Sequence, residues 1–111
     1  MKKCKITVLK REFYEDLVGQ YIPFSHFGPC HMMKEGDVFI TGGPFGNSIP
    51  EGFCNMAWQA LSLHATTIAW GGKIWDHSDV YIGCCNDGAR PVIFKLEPYE
   101  DEQEQPFLYK Y

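Results

Sequence analysis

The sequence predicts an α+β domain: a largely antiparallel sheet packed against one long helix, in the order β-α-β-α-β-β. Three observations carry the prediction. Short segments at residues 3–10, 38–41, 80–84 and 91–97 read as strands, the first and last of them with clear side-chain alternation. A single long apolar stripe at helical spacing runs through residues 53–70. The last two strand segments are joined by a polar loop with no room for a crossover helix, so they form a hairpin.

Each element has a local cause. Over residues 3–10, Cys4, Ile6 and Val8 share one face, and Lys5, Thr7 and Leu9 the other. Residues 12–21 place Phe13, Leu17, Val18 and Tyr21 at helical spacing before Pro23 stops the run. Residues 23–35 are irregular and carry Gly28, Pro29 and Cys30. Gly36-Asp37 opens a short strand over residues 38–41, and the glycine-rich stretch 42–47 follows. Ser48-Ile49-Pro50-Glu51 matches a capping box, although the proline falls one place later than its best position. The long helix follows, with Ala57, Leu61, Ala65 and Ile68 as its stripe and Gly71-Gly72 as its stop. In the final strand Val92, Phe94 and Leu96 alternate with Ile93, Lys95 and Glu97. Residues 1–97 therefore read as one domain. Residues 98–111 read as a mobile acidic tail, whose Phe107, Leu108, Tyr109 and Tyr111 suit docking on a partner or a second copy in a homo-oligomer.

Composition narrows the function. The 111 residues carry a net charge of −4, so no basic stripe exists to neutralise phosphates and nucleic-acid binding is not expected. The basic start, Lys2-Lys3-Cys4-Lys5, is followed by an apolar run too short for a signal peptide, and no run approaches a membrane span. The expectation is a cytoplasmic protein with no membrane partner, in a reducing compartment where cysteines are free, metal-bound or catalytic. The odd count of five cysteines argues against a closed disulfide framework.

The cysteines carry most of the chemical information. Cys30 and Cys54 follow glycine-containing turns, and Cys84-Cys85 directly precede Asn86-Asp87-Gly88. Thiols that merely fill a core belong in the middle of apolar runs. Three separate cysteines in loops or at element ends point to a thiol site assembled by folding. Cys30, Cys54 and one of the vicinal pair would supply three thiolates for zinc or an iron–sulfur cluster, with His31 as a fourth ligand. Against this, zinc modules bring their ligands in close pairs. Adjacent strand residues also face opposite ways, so only one of Cys84 and Cys85 serves a common site. The competing readings are buried structural thiols and a reactive Cys54 near the start of the long helix, where unsatisfied amides favour a thiolate. A start at Ser48 would place Cys54 deeper than the first turn and weaken that effect.

Asp87 and Arg90 either order their own turn or hold a small anionic ligand, Arg90 as the clamp and Asp87 as its support. His64 lies ten residues after Cys54, about 80° away around the helix, so the two do not form a dyad. His26 and His31 share the irregular segment of Cys30. Trp58, Trp70 and Trp75 are expected in the core or a pocket wall rather than as cation-binding surfaces.

Taken together, Gly28-Pro29-Cys30, Gly36-Asp37-Val38-Phe39, the string from Phe53 to Trp58, Gly71-Gly72 and the string from Cys84 to Glu97 resemble a family of small, functionally uncharacterised proteins of anaerobic bacteria and archaea. The resemblance runs from the first strand to Glu97. It implies a shared thiol site at Cys30, Cys54 and Cys85, without identifying its reaction. Asn55, Asn86 and the acidic tail depart from many members. The site expectations are thus a metal or redox centre at Cys30, Cys54, Cys85 and His31; a metal-free enzyme using Cys54 with Asp87 and Arg90; or a non-catalytic oligomeric module.

Overall fold

Strand β1 (Lys2–Arg11) anchors a four-stranded antiparallel sheet with strand order β2-β1-β4-β3, where β2 is Val38–Ile40, β3 is Tyr81–Cys84 and β4 is Val92–Glu100. The structure is a computed structural model that describes residues 2–22 and 28–100. Helices α1 (Glu15–Tyr21) and α2 (Asn55–Ala69) complete an α+β fold, with α2 packed across β1, β3 and β4.

Register explains the core. Ile6 pairs with Leu96 and Val8 with Phe94, and paired residues of antiparallel strands share a face. That face therefore presents Cys4, Ile6, Val8, Val92, Phe94 and Leu96, all buried. Ala57, Leu61, Ala65 and Ile68, the expected stripe of α2, are buried against it. Gly83 lets the helix approach closely: a Cβ there would stand 2.5 Å from Leu61 Cδ2. Burying each large apolar side chain contributes roughly 1.5–3 kcal/mol, so this helix–sheet layer is the main source of stability.

Three elements, and two of the tryptophans, differ from the sequence expectation. Glu12 N–H donates to the Pro91 carbonyl and Tyr14 N–H to the Ala89 carbonyl, so residues 12–14 run extended and α1 begins only at Glu15. Of its predicted stripe only Val18 is buried within the helix. Ser48 does not cap α2. It is bridged to Gly42 through reciprocal backbone hydrogen bonds of 3.0 and 3.1 Å, and α2 takes Cys54 as its N-cap residue. Strand β4 continues beyond Glu97, pairing Pro98, Tyr99 and Glu100 with Cys4, Lys3 and Lys2. The acidic and aromatic positions 101–111 lie outside the described residues. Trp70 and Trp75 are exposed, and Lys2 Nζ sits 5.9 Å over the Trp70 ring, so Trp70 does carry a cation. Trp58 packs against the core.

Candidate functional site

A bulge in β1 sets one wall of the site. Val8 pairs with Phe94 but Lys10 pairs with Ile93, so Leu9 is the extra residue and the alternation slips by one. Arg11 consequently pairs with Val92 on the inner, helix-bearing face. There its Nη1 donates a 2.7 Å hydrogen bond to the carbonyl of Cys30, tying the irregular segment to the sheet.

The start of α2 forms a second wall. Gly52, at φ +76°, turns the chain, and Phe53 N–H donates to the Pro50 carbonyl. Phe53 precedes the N-cap and stacks edge-on against Trp58, four residues past it, with ring centroids 6.2 Å apart. This is a hydrophobic staple, and it replaces the side-chain capping box in fixing the entry angle. Phe39 and Phe94 enclose the other sides of Phe53. Cys54 is left at the N-cap, its thiol accepting no capping hydrogen bond from the first-turn N–H groups.

The hairpin loop is the third wall. Cys84 pairs with Ile93 and is exposed, so Cys85 falls on the inner face. Val92 N–H donates to Cys85 Sγ at 3.3 Å, and Cys85 N–H donates to the Val92 carbonyl at 3.2 Å. Asn86 Nδ2 donates to the Met56 carbonyl at 3.1 Å and joins the hairpin to the first turn of α2. Asp87 Oδ1 accepts from the backbone N–H groups of Ala89 and Arg90, while Oδ2 accepts from Arg90 Nε at 3.1 Å. Partial burial pushes the Asp87 carboxyl up, but these backbone donors and the guanidinium outweigh it and hold the group below its ordinary value. The turn-ordering role expected of Asp87 is thus present.

These walls enclose a cavity of about 430 Å³, within the size range of small-ligand sites. Cys30, Cys54 and Cys85 all line it, with Asp87, Gly88 and Arg90 beside them. Its apolar floor is Ala57, Val92 and Phe94. His31 is exposed and absent from the lining, His64 stacks on Tyr81 at 4.4 Å, and His26 lies outside the described residues. Cys84 stays outside the lining too; its thiol is pushed up by partial burial and by the neighbouring Cys85. Among the described residues, no three His, Cys, Asp or Glu side chains form a ready-made metal site. All five cysteines are free.

Met32, Met33, Met56 and Asn86 line the same cavity and are not among the site residues expected from the sequence. Two of them had a signal: Cys30-His31-Met32 and Cys54-Asn55-Met56 repeat one Cys-x-Met spacing. Among the described residues no helix is long and apolar enough to cross a membrane. Compared with known proteins, the chain matches no family model, no curated protein and no solved structure.

Proposed function

We propose that the chain is a small cytoplasmic protein whose Cys30, Cys54 and Cys85 jointly bind a soft metal or iron–sulfur centre with a redox role. The observation that carries this reading is that three thiols from separate segments border one cavity. The contrast with Cys4 is informative. A packing thiol sits wholly enclosed in mid-strand, as Cys4 does, whereas Cys30, Cys54 and Cys85 are half-buried in a loop or at element ends. Thiolates are the natural ligands of soft metals, and the open N-terminus of α2 beside Cys54 favours the negative charge that such ligands carry. Binding would release the thiol protons and bring the sulfurs closer together.

Elemental analysis for iron, zinc and copper, with an absorption spectrum, on protein purified without oxygen tests the reading. Stoichiometric metal that is lost in Cys54→Ser is the expected result. Protein that neither retains metal nor takes it up on anaerobic reconstitution refutes it.

A second reading draws on the N-cap position of Cys54. A metal-free enzyme would use Cys54 as nucleophile or proton donor, with Arg90 binding a small anionic substrate and Asp87 orienting Arg90. It requires iodoacetamide to modify Cys54 faster than free cysteine at neutral pH. An equal or slower rate discards it.

A further inference from the structure

We infer that the cavity is built for a soft monovalent cation, Cu(I), held by thiolates together with the thioethers of Met32 and Met56. The inference rests on the thiol-site reading above and specifies its ion. Three methionines border the same cavity as three cysteines, in a chain with only four methionines. Met33 is 1% exposed and belongs to the core, where methionine is an ordinary filler. Met32 and Met56 are different: they are 57% and 56% exposed. A large apolar side chain left so open at a cavity lip gains little from packing, and its remaining chemical asset is the sulfur.

Ligand preference decides among the metals. Zinc takes thiolate, imidazole and carboxylate ligands, and closes a structural site with four of them. Here His31 stands outside the lining, and the Asp87 carboxylate beside the three thiols is already engaged by two backbone N–H groups and the Arg90 guanidinium. Thioether sulfur is a poor ligand for zinc and a good one for Cu(I), which selects soft donors. Placement adds to this. Each exposed methionine follows a cavity cysteine by two residues, one pair in the Cys30 segment and the other at the first turn of α2. Two of the three cavity thiols, Cys30 and Cys54, therefore have a thioether close by in the chain and bordering the same space.

The test measures Cu(I) affinity under anaerobic, reducing conditions with bicinchoninate as competing chelator, and Zn(II) affinity in parallel. The proteins are the full chain, Met32→Leu, Met56→Leu and Cys54→Ser. Leucine keeps the bulk and removes the sulfur. Each methionine variant is expected to weaken Cu(I) binding by at least about tenfold, no less than the loss of a supporting contact around a metal. Zn(II) affinity and thermal melting should not change. In wild-type protein carrying methyl-13C methionine, Cu(I) should shift the Met32 and Met56 methyl signals and leave Met33 in place, which requires no variant to fold. Tight Cu(I) binding with unchanged affinity in both methionine variants and unmoved methyl signals overturns the thioether assignment while leaving the thiol reading intact. Zn(II) binding with no measurable Cu(I) binding does the same. Failure to bind either ion overturns the Cu(I) assignment, and failure to take up iron on anaerobic reconstitution as well overturns the thiol reading with it.

Discussion

Cys4 is a thiol of the buried core, and its titration can be worked through. Cys4 is 0% exposed, between β2 and β4 on the inner face of β1. Its thiol is pushed from 9.0 up to about 12, chiefly by burial; a Glu97 backbone hydrogen bond acts against this and the Glu97 carboxylate with it. Above pH 9 the unfolded chain releases this proton, while the folded chain keeps it until about pH 12. Stability is therefore intact below the unfolded value and falls as pH rises through the window between the two. The slope is about 1.4 kcal/mol per pH unit, so near pH 10.5 the loss reaches about 2 kcal/mol. Urea unfolding of wild type and Cys4→Ala, at about pH 8 and pH 10.5 with a reductant present, measures it. The alanine variant starts lower at pH 8, by roughly 1–2 kcal/mol for the lost sulfur and its cavity, a deficit that closes by pH 10.5. It should then lose about 2 kcal/mol less than wild type on going to the higher pH. Other titrating groups are common to both proteins and cancel in the difference. Parallel losses in the two proteins would show that burial does not hold the Cys4 proton, and the structural assignment of this thiol would fall.

Three further outcomes are expected. Asp87→Ala removes the acceptor of two backbone N–H groups and the partner of Arg90, and should cost about 1 kcal/mol by chemical denaturation at neutral pH. Because the Asp87 carboxyl is held below 3.8, that contribution persists above the unfolded value and disappears as pH falls through the folded one, so variant and wild type should converge in strong acid. Gly46→Ala forces a side chain into φ +65° with its Cβ against the Lys2 backbone carbonyl, and a loss of at least about 2 kcal/mol should appear as a lowered melting temperature. Leu61→Ala, at 1% exposure under the sheet, should cost about 3 kcal/mol in the same denaturation assay while α2 keeps its far-UV circular dichroism.

Much of the fold was legible because strand and helix periods are local. The alternation of Cys4, Ile6 and Val8, the stripe of Ala57, Leu61, Ala65 and Ile68, and the opposite facing of Cys84 and Cys85 all follow from backbone geometry within a few residues. Element starts were less legible, because a partner distant in the chain claims the groups that would have formed them. Residues 12–14 bond to Pro91 and Ala89 instead of opening a helix, and the Ser48 backbone bonds to Gly42 instead of capping one. The Leu9 bulge was invisible as well, since nothing in residues 3–11 shows which strand will pair with them or where the pairing slips. That slip brings Arg11 to the Cys30 carbonyl. Turn chemistry pointed to thiols of a special kind at positions 30, 54 and one of 84 and 85, and only the family resemblance implied 85. Their meeting around one cavity depends on strand order, register and the seating of α2 against Phe53 and Phe94, which are sums of many long-range contacts that no local pattern contains.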